Sequence, residues 1–463
     1  MATWSQNVRR SFLWNDSVRL GLAYWRIEEF QGNENPRLNL MDTITHGIAG
    51  ALIGKALMNG DDLFTMRPMN RQRIVSWSMM LGAIFPDSDT FRDMFSHNEL
   101  LMITWHRSIT HSLLCLPIFA LLLAALTGRI ARWRKWGGPS FAVLTGIYAI
   151  GILSHILLDL VTSFGTMVWS PLKWSRPAWD LIFIVDFTFT GILLVPQILA
   201  WVQERPEKSR RRALVSLAIF ILAIFAIQAI ANAVGAPISP ATVFLFDAIL
   251  AALFLLPLRR RGKLPKTATD AEKIPVEGDE KSQGGTLSRR WNQAGLIGGW
   301  VYLGLAIFAH YLALGRVKNF ATMERLEVQA LGALPLPPSL WKWDGLVRTP
   351  RGVYEVRLDL ADKSSFNGSS TVDPAEQSTV EYRFYPEAYP NFYIEAAREL
   401  PEVQKVLWFD RFPVTHFHEE AGVQVVEFSD LRFPQIGRRR TPSFTYRVRL
   451  GPGGNVLSQG WVK

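Results

Sequence analysis

Four short strings between residues 42 and 159 bring histidine and aspartate close together in the chain. They are Asp42-Thr-Ile-Thr-His46, Phe85-Pro-Asp87-Ser-Asp89, Trp105-His106-Arg107-Ser-Ile-Thr-His111-Ser112 and Ser154-His155-Ile-Leu-Leu-Asp159. In the first and last strings the histidine and the aspartate are four residues apart, so on a helix they share one face. Such pairs favour zinc, with manganese and iron as alternatives. The single cysteine excludes a cysteine-based zinc site and a disulfide framework.

The composition predicts that these strings belong to a membrane protein. Of the 463 residues, 49% are hydrophobic and only 19% are charged, which is too apolar for an ordinary soluble domain. The formal net charge of +10 would suggest nucleic acid in a soluble protein. Here, however, lysine and arginine form short clusters between apolar segments, where they orient a membrane protein. We therefore expect no nucleic-acid partner.

Apolar runs of the length that crosses a bilayer, about 20 helical residues, predict a membrane α-helical bundle of about 6–8 transmembrane helices. The clear runs are residues 109–127, 139–160, 180–201, 212–234, 241–257 and 293–314. Two shorter segments, 43–58 and 74–85, would be tilted, re-entrant or packed inside the bundle. Basic clusters fall at every second loop, as eight crossings would produce, and these loops are predicted to be cytoplasmic.

Changes of composition divide the chain into five parts. Residues 1–40 form an N-terminal extension without a signal-peptide pattern, and residues 41–258 form the transmembrane domain with the His/Asp site. Residues 259–290 mix charges with Gly, Pro, Ser and Thr, which predicts a flexible cytoplasmic linker. Residues 291–314 form the last transmembrane helix. Residues 315–463 alternate apolar and polar residues, which predicts a small, mostly antiparallel β domain.

The predicted topology gathers the His/Asp strings at one end of the bundle. Each string begins or ends an apolar segment, and alternating segment directions place all of these ends opposite the basic loops. Ionisable groups at membrane depth are costly, so they are usually paired and functional. We therefore expect a site at the outer face of the membrane.

The expected metal ligands are three imidazoles and two carboxylates: His46, Asp89, His111, His155 and Asp159. Three nearby residues are candidates for catalysis. Asp87 would orient a ligand histidine or accept a proton from a metal-bound water, and Arg107 would hold an anionic oxygen. His106 is the third candidate. The sequence has no His-Glu-x-x-His, Gly-x-Ser-x-Gly or Walker A motif.

The strings MDTITHGIAGALIG, FPDSD, HRSITHSLL and SHILLDLVTSFGT, in this order, resemble the bacterial YdjM-like family of membrane-bound metal-dependent hydrolases. The resemblance covers about residues 41–190, and the later strings LWFDRFP and FSDLRF resemble C-terminal regions of part of that group. It implies a protein of the bacterial inner membrane with hydrolase activity. The His-x-x-x-Asp element is more distantly similar to that of zinc-dependent phospholipases C and single-strand nucleases, whose later His-x-x-x-Glu ligands have no counterpart here.

Together these patterns predict a multi-pass inner-membrane hydrolase that uses one or two divalent metal ions, with zinc the first choice. A site at the membrane interface favours an amphiphilic substrate, such as a membrane lipid or a lipid-linked phosphate ester; an amide or acyl ester remains open. One alternative is a carrier of divalent cations or protons that uses the same residues as a pathway. A second is a non-catalytic membrane scaffold whose β domain binds a partner.

Overall fold

The computed structural model describes residues 36–57, 68–94, 96, 98, 100–135, 139–233, 240–261, 277–337, 339–361, 382–433 and 444–462. Most of the predicted N-terminal extension and residues 262–276 of the predicted linker lie outside this set. Within it, helices form the first two thirds of the chain, and antiparallel strands dominate the last third.

The helices that precede the strands are α1 (Pro36–Leu57), α2 (Pro68–Ile84), α3 (Thr90–Met94), α4 (Leu101–Thr104), α5 (Leu116–Trp133), α6 (Phe141–Leu160), α7 (Phe187–Gln203), α8 (Ser209–Ala233), α9 (Pro240–Arg261) and α10 (Glu277–Met323). Four described helices are long and apolar enough to cross a membrane: α5, α6, Ser209–Ala229 of α8 and Leu287–Met323 of α10. Helix α7 and Val243–Leu255 of α9 are apolar but shorter. The helical membrane region is confirmed, while the count of six to eight spans stays a prediction.

Helices α5 and α7 both begin later than their apolar runs. Helix α5 begins at Leu116 rather than at residue 109, and α7 begins at Phe187 rather than at residue 180. Asp186 fixes the start of α7, because its carboxylate accepts hydrogen bonds from the backbone N–H groups of Thr188 and Phe189. The residues left outside these helices form turns that carry the site and contact the β region.

Helix α10 is longer at both ends than the predicted last span, 291–314. It includes residues 277–290 of the predicted linker, because a helix extends more easily than it nucleates. Beyond residue 314, Val317 and Phe320 continue the apolar face of the helix and pack in one cluster with Trp343 of the β region. The β region therefore begins after Met323 rather than at residue 315.

Helices α1, α2 and α6 approach closely at glycines. A Cβ atom at Gly50 would lie 2.6 Å from the Cβ atom of Ala83, and one at Gly151 would lie 2.7 Å from the carbonyl oxygen of Met79. Small residues allow membrane helices this closeness. Because Gly151 lies four residues before His155, this contact sets how closely the end of α6 meets the end of α2.

We expect Gly151→Ala to destabilise the protein by about 1–3 kcal/mol, because the added methyl group would overlap backbone that has little room to move. Thermal unfolding in detergent measures this effect. Gly146→Ala in the same helix is the matched control, since a Cβ atom there meets no atom within 4 Å. Equal unfolding temperatures for the two variants would contradict the close contact.

In its described residues the β region forms two four-stranded antiparallel sheets, which confirms the predicted antiparallel character. The strands are β1 (Ala330–Leu336), β2 (Lys342–Thr349), β3 (Gly352–Asp359), β4 (Tyr382–Pro386), β5 (Pro413–Glu420), β6 (Val423–Asp430), β7 (Thr445–Leu450) and β8 (Val456–Trp461). The sheet orders β1-β2-β3-β4 and β5-β6-β7-β8 are simple meanders. Two short helices, α11 (Phe392–Arg398) and α12 (Pro401–Phe409), lie between the sheets in the chain and pack on the second.

The β region contacts the turns at one end of the helical region. Arg411, in the LWFDRFP string, donates two hydrogen bonds of 3.0 and 2.8 Å to the carboxylate of Asp180. The ring of Phe409, in the same string, lies 5.3 Å from the ring of Phe164, which follows α6. The β region and the C-terminal end of α6 therefore lie on the same side of the helical region.

Candidate metal centre

Four elements bring the His/Asp strings together at that same end. Helix α1 presents Asp42 and His46, a 3₁₀ turn at Phe85–Asp89 follows α2, and the last turn of α6 presents His155 and Asp159. The turn between α4 and α5 contributes residues 105–111, which end in a second 3₁₀ turn at Ile109–His111. The side chains are deeply buried: His111, His155 and Asp159 are 0% exposed.

Four ligand atoms form a compact set at the centre. The Nε2 atoms of His111 and His155 are 3.0 Å apart, and they lie 3.1 and 3.4 Å from Asp159 Oδ2. Asp87 Oδ1 lies 3.4 Å from His155 Nε2 and 3.7 Å from His111 Nε2. Four ligands at zinc bond lengths of about 2.0–2.1 Å in a tetrahedron are about 3.4 Å apart. The spacing of the set therefore fits a divalent metal ion.

Hydrogen bonds at the far side of each imidazole fix its tautomer. His155 Nδ1 lies 2.6 Å from the carbonyl oxygen of Ala83, so Nδ1 must donate and Nε2 carries a lone pair. His111 Nδ1 lies 3.0 Å from the hydroxyl of Thr110 and 3.4 Å from a carboxylate oxygen of Asp89. When both rings are neutral, their Nε2 lone pairs face each other, an arrangement that a cation between them would stabilise.

The 3₁₀ turn brings Asp87 closer than Asp89 to the two Nε2 atoms, while the predicted roles of both residues stay predictions. Asp89, predicted as a ligand, accepts hydrogen bonds from His106 Nδ1 at 3.0 Å and from the backbone N–H of Arg107 at 3.0 Å. Asp87, predicted to assist catalysis, faces the two Nε2 atoms instead. A 3₁₀ helix has three residues per turn, so side chains two residues apart point in different directions.

Both aspartates of this turn remain ionised at neutral pH. Burial raises the pKa of Asp87, but the charge of His155 and a hydrogen bond from His111 outweigh it and hold that pKa well below its ordinary value. Burial likewise raises the pKa of Asp89, yet the charges of His106 and His111 leave it below its ordinary value. Ionised carboxylates in a buried cluster need positive charge nearby, which protonated histidines supply here and a bound metal ion would supply if the histidines were neutral.

Arg107 lies between two aspartates. Its Nη2 atom is 2.6 Å from Asp42 Oδ2 and 3.0 Å from Asp159 Oδ1, while Nη1 donates to the hydroxyl of Thr162 at 2.9 Å. Arg107 also adopts a left-handed backbone conformation with φ of +61°, which residues other than glycine rarely adopt. The guanidinium thus contacts the carboxylates of Asp42 and Asp159, and its predicted role of holding an anionic oxygen stays a prediction.

A small cleft between α1, α6 and α7, with a free volume of about 10 Å³ that holds one water molecule, lies at one side of the cluster. Its lining residues are Asp42, Thr45, His46, Leu158, Thr162, Ile182, Ile184, Asp186 and Phe189. Among the histidines and aspartates of the four strings, Asp42 and His46 line it, whereas His111 and His155 do not. Two partners found here, the hydroxyl of Thr162 and the carbonyl of Ala83, were not predicted. The sequence does not indicate which backbone carbonyl accepts a hydrogen bond from a histidine. Thr162, by contrast, lies three residues after Asp159 and could have been predicted as a partner of the cluster from that spacing.

Comparison with known proteins covers the part of the chain that holds the cluster. Residues 41–234 match the family model described as YdjM inner membrane protein. This region is YdjM-like. The YdjM-like region contains every residue of the cluster, from Asp42 to Asp159, and it ends before the β region. No curated protein and no solved structure matches the chain.

Proposed function

We propose that this protein is a metal-dependent hydrolase of the inner membrane that acts on a lipid or a lipid-linked phosphate ester. The observation that supports it best is the central set of four ligand atoms, 3.0–3.7 Å apart in the pairs given above, with both imidazole tautomers fixed for metal binding. The YdjM-like region and the apolar helices support the location.

Four residues would hold the ion: Asp87, His111, His155 and Asp159. A bound divalent ion, with zinc the first choice, would lower the pKa of a coordinated water and polarise the bond to be cut. Asp89 then acts as a positioning residue rather than as a ligand, because it faces His111 Nδ1 and accepts a hydrogen bond from His106. His106 in turn helps to hold Asp89.

The cleft supports an amphiphilic substrate. Leu158, Ile182, Ile184 and Phe189 line it with apolar side chains, while Asp42 and His46 form its polar end. The lining thus matches a substrate with an apolar chain and a polar reacting group, although the cleft would have to widen to admit it.

A single assay with purified protein tests this function. Protein in detergent should contain divalent metal, and it should release product from phospholipid or from a long-chain phosphate ester. Removal of the metal with a chelator should abolish product release. Added zinc should restore it. Metal binding without hydrolysis of phosphate, acyl or amide substrates would reject the hydrolase and favour the carrier. Absence of metal would favour the scaffold.

We also propose that the metal centre and the β region lie on the outer face and that the chain crosses the membrane six to eight times. The basic residues Arg129, Arg132 and Arg134 lie at the end of α5 that is remote from the centre. The positive-inside rule places that end in the cytoplasm.

Cysteine labelling of intact cells tests this orientation, starting from a Cys115→Ser background without other cysteines. Tyr389→Cys, at a position 91% exposed in the β region, should react with a membrane-impermeant reagent. Arg134→Cys, on the exposed end of α5, should react only after the cells are opened. The reverse pattern would invert the topology.

A further inference from the structure

A second group of ligand atoms lies beside the central set. His46 Nε2 is 3.3 Å from Asp42 Oδ1 and 3.2 Å from Asp159 Oδ1, spacings close to those of the first set. His46 is 1% exposed, and neither of its ring nitrogens makes a hydrogen bond of acceptable geometry within the described residues. A buried imidazole without such a bond that faces two carboxylates needs a cation or a proton as partner.

Asp159 joins the two groups. Its Oδ2 atom faces His111 at 3.1 Å and His155 at 3.4 Å, while its Oδ1 atom faces His46 at 3.2 Å and Arg107 at 3.0 Å. The rings of His46 and His155 stack with their centroids 3.8 Å apart, so the two groups are direct neighbours. Asp159 thus offers one carboxylate oxygen to each group. This arrangement is compatible with a two-metal site, in which the ions lie about 3.5–4 Å apart.

The charge of the cluster leaves room for a second cation. The cluster has four aspartates, Asp42, Asp87, Asp89 and Asp159, and the arginine that forms ion pairs with them is Arg107, so with neutral histidines these five residues carry a net charge of −3. One divalent ion leaves the cluster negative, which would repel an anionic substrate. Two such ions make it positive by one charge, which would attract a phosphate.

The second group is also the one that a substrate meets first. Asp42 and His46 line the cleft, whereas Asp87, His111 and His155 do not. The residues that line this cleft include two aspartates and no lysine or arginine. A phosphate at this end of the cluster would face the negative charges of Asp42 and Asp186, which a cation bound by Asp42 and His46 would offset.

We propose that Asp42, His46 and Asp159 bind a second divalent cation, and that this cation holds the phosphate of an amphiphilic phosphate ester. This inference rests on the proposed hydrolase function and specifies its substrate as a phosphate ester rather than an acyl ester or amide. It also assigns the two carboxylate oxygens of Asp159 to different ions, with Oδ1 facing the second cation and Oδ2 facing the central one.

Metal stoichiometry tests the inference without any activity assay. Full-length protein in detergent, freed of metal by chelation, is dialysed against Zn²⁺ and analysed for zinc per chain. We expect two ions in the wild type and one in His46→Gln. His310→Gln is the matched control, since His310 packs against Trp343 in the β region, and it should retain two ions.

Inorganic phosphate, measured by calorimetry on zinc-loaded protein, gives the second readout. We expect at least tenfold weaker phosphate binding to His46→Gln than to the wild type and to His310→Gln. One zinc ion per wild-type chain, or unchanged phosphate binding in His46→Gln, would overturn the second site and leave the proposed function intact. A wild-type chain that binds no zinc would reject both.

Discussion

His155→Ala and Asp159→Ala should each remove most of the bound metal and abolish any hydrolytic activity. Each change deletes a ligand atom of the central set, and the apolar neighbours in α6, such as Ile156 and Leu160, offer no replacement. Loss of a residue that merely orients a ligand weakens metal binding 10–100-fold. Loss of a ligand itself should therefore lower zinc affinity at least 100-fold, which competition with a chelating dye measures.

The fold should survive both substitutions. An ionisable side chain in a membrane helix is costly once its metal partner is absent, and Arg107 keeps its ion pair with Asp42 when Asp159 is replaced. His418→Ala is the control, because His418 is exposed on β5 and remote from the cluster in the chain. If both α6 variants keep full metal occupancy with the fold intact, the metal centre is elsewhere or absent, and the carrier or the scaffold becomes the better interpretation.

The sequence was sufficient to predict that the His/Asp strings converge. Pairs four residues apart at the ends of apolar segments must lie on one helical face, and alternating segment directions carry these ends to one side. The structure brings Asp42, His46, His155 and Asp159 together for this reason. The antiparallel character of the β region was equally accessible, because the alternation of apolar and polar residues is a local property of each strand.

The roles of Asp87 and Asp89 were not accessible in the same way. Their assignment depends on a 3₁₀ turn after α2, and the sequence FPDSD does not reveal whether the chain continues as an α-helix or tightens there. Arg107 presents a related problem, since an arginine beside a histidine suggests anion binding until its carboxylate partners are known. Neither partner, Asp42 nor Asp159, is near Arg107 in the chain, so only the tertiary structure places them there.

Asp87→Asn and Asp89→Asn should therefore have unequal effects, although the two residues are only two positions apart. Asp87 Oδ1 faces both Nε2 atoms of the central set, so its conversion to a neutral amide removes an anionic ligand. We expect zinc affinity to fall at least 100-fold. Asp89 faces the opposite ring nitrogen of His111 and holds the turn at His106, so Asp89→Asn should weaken zinc binding only about 10–100-fold.

Zinc titration of the two variants, measured side by side in detergent with a competing dye, gives this comparison. Both substitutions preserve side-chain size, so a difference between them reports charge and contact rather than cavity formation. Ser88→Ala, between the two aspartates, is the control for the turn itself and should bind zinc as the wild type does. If Asp89→Asn abolishes binding while Asp87→Asn retains it, Asp89 is the ligand, as the sequence alone suggested, and the 3₁₀ turn must rearrange when the metal binds.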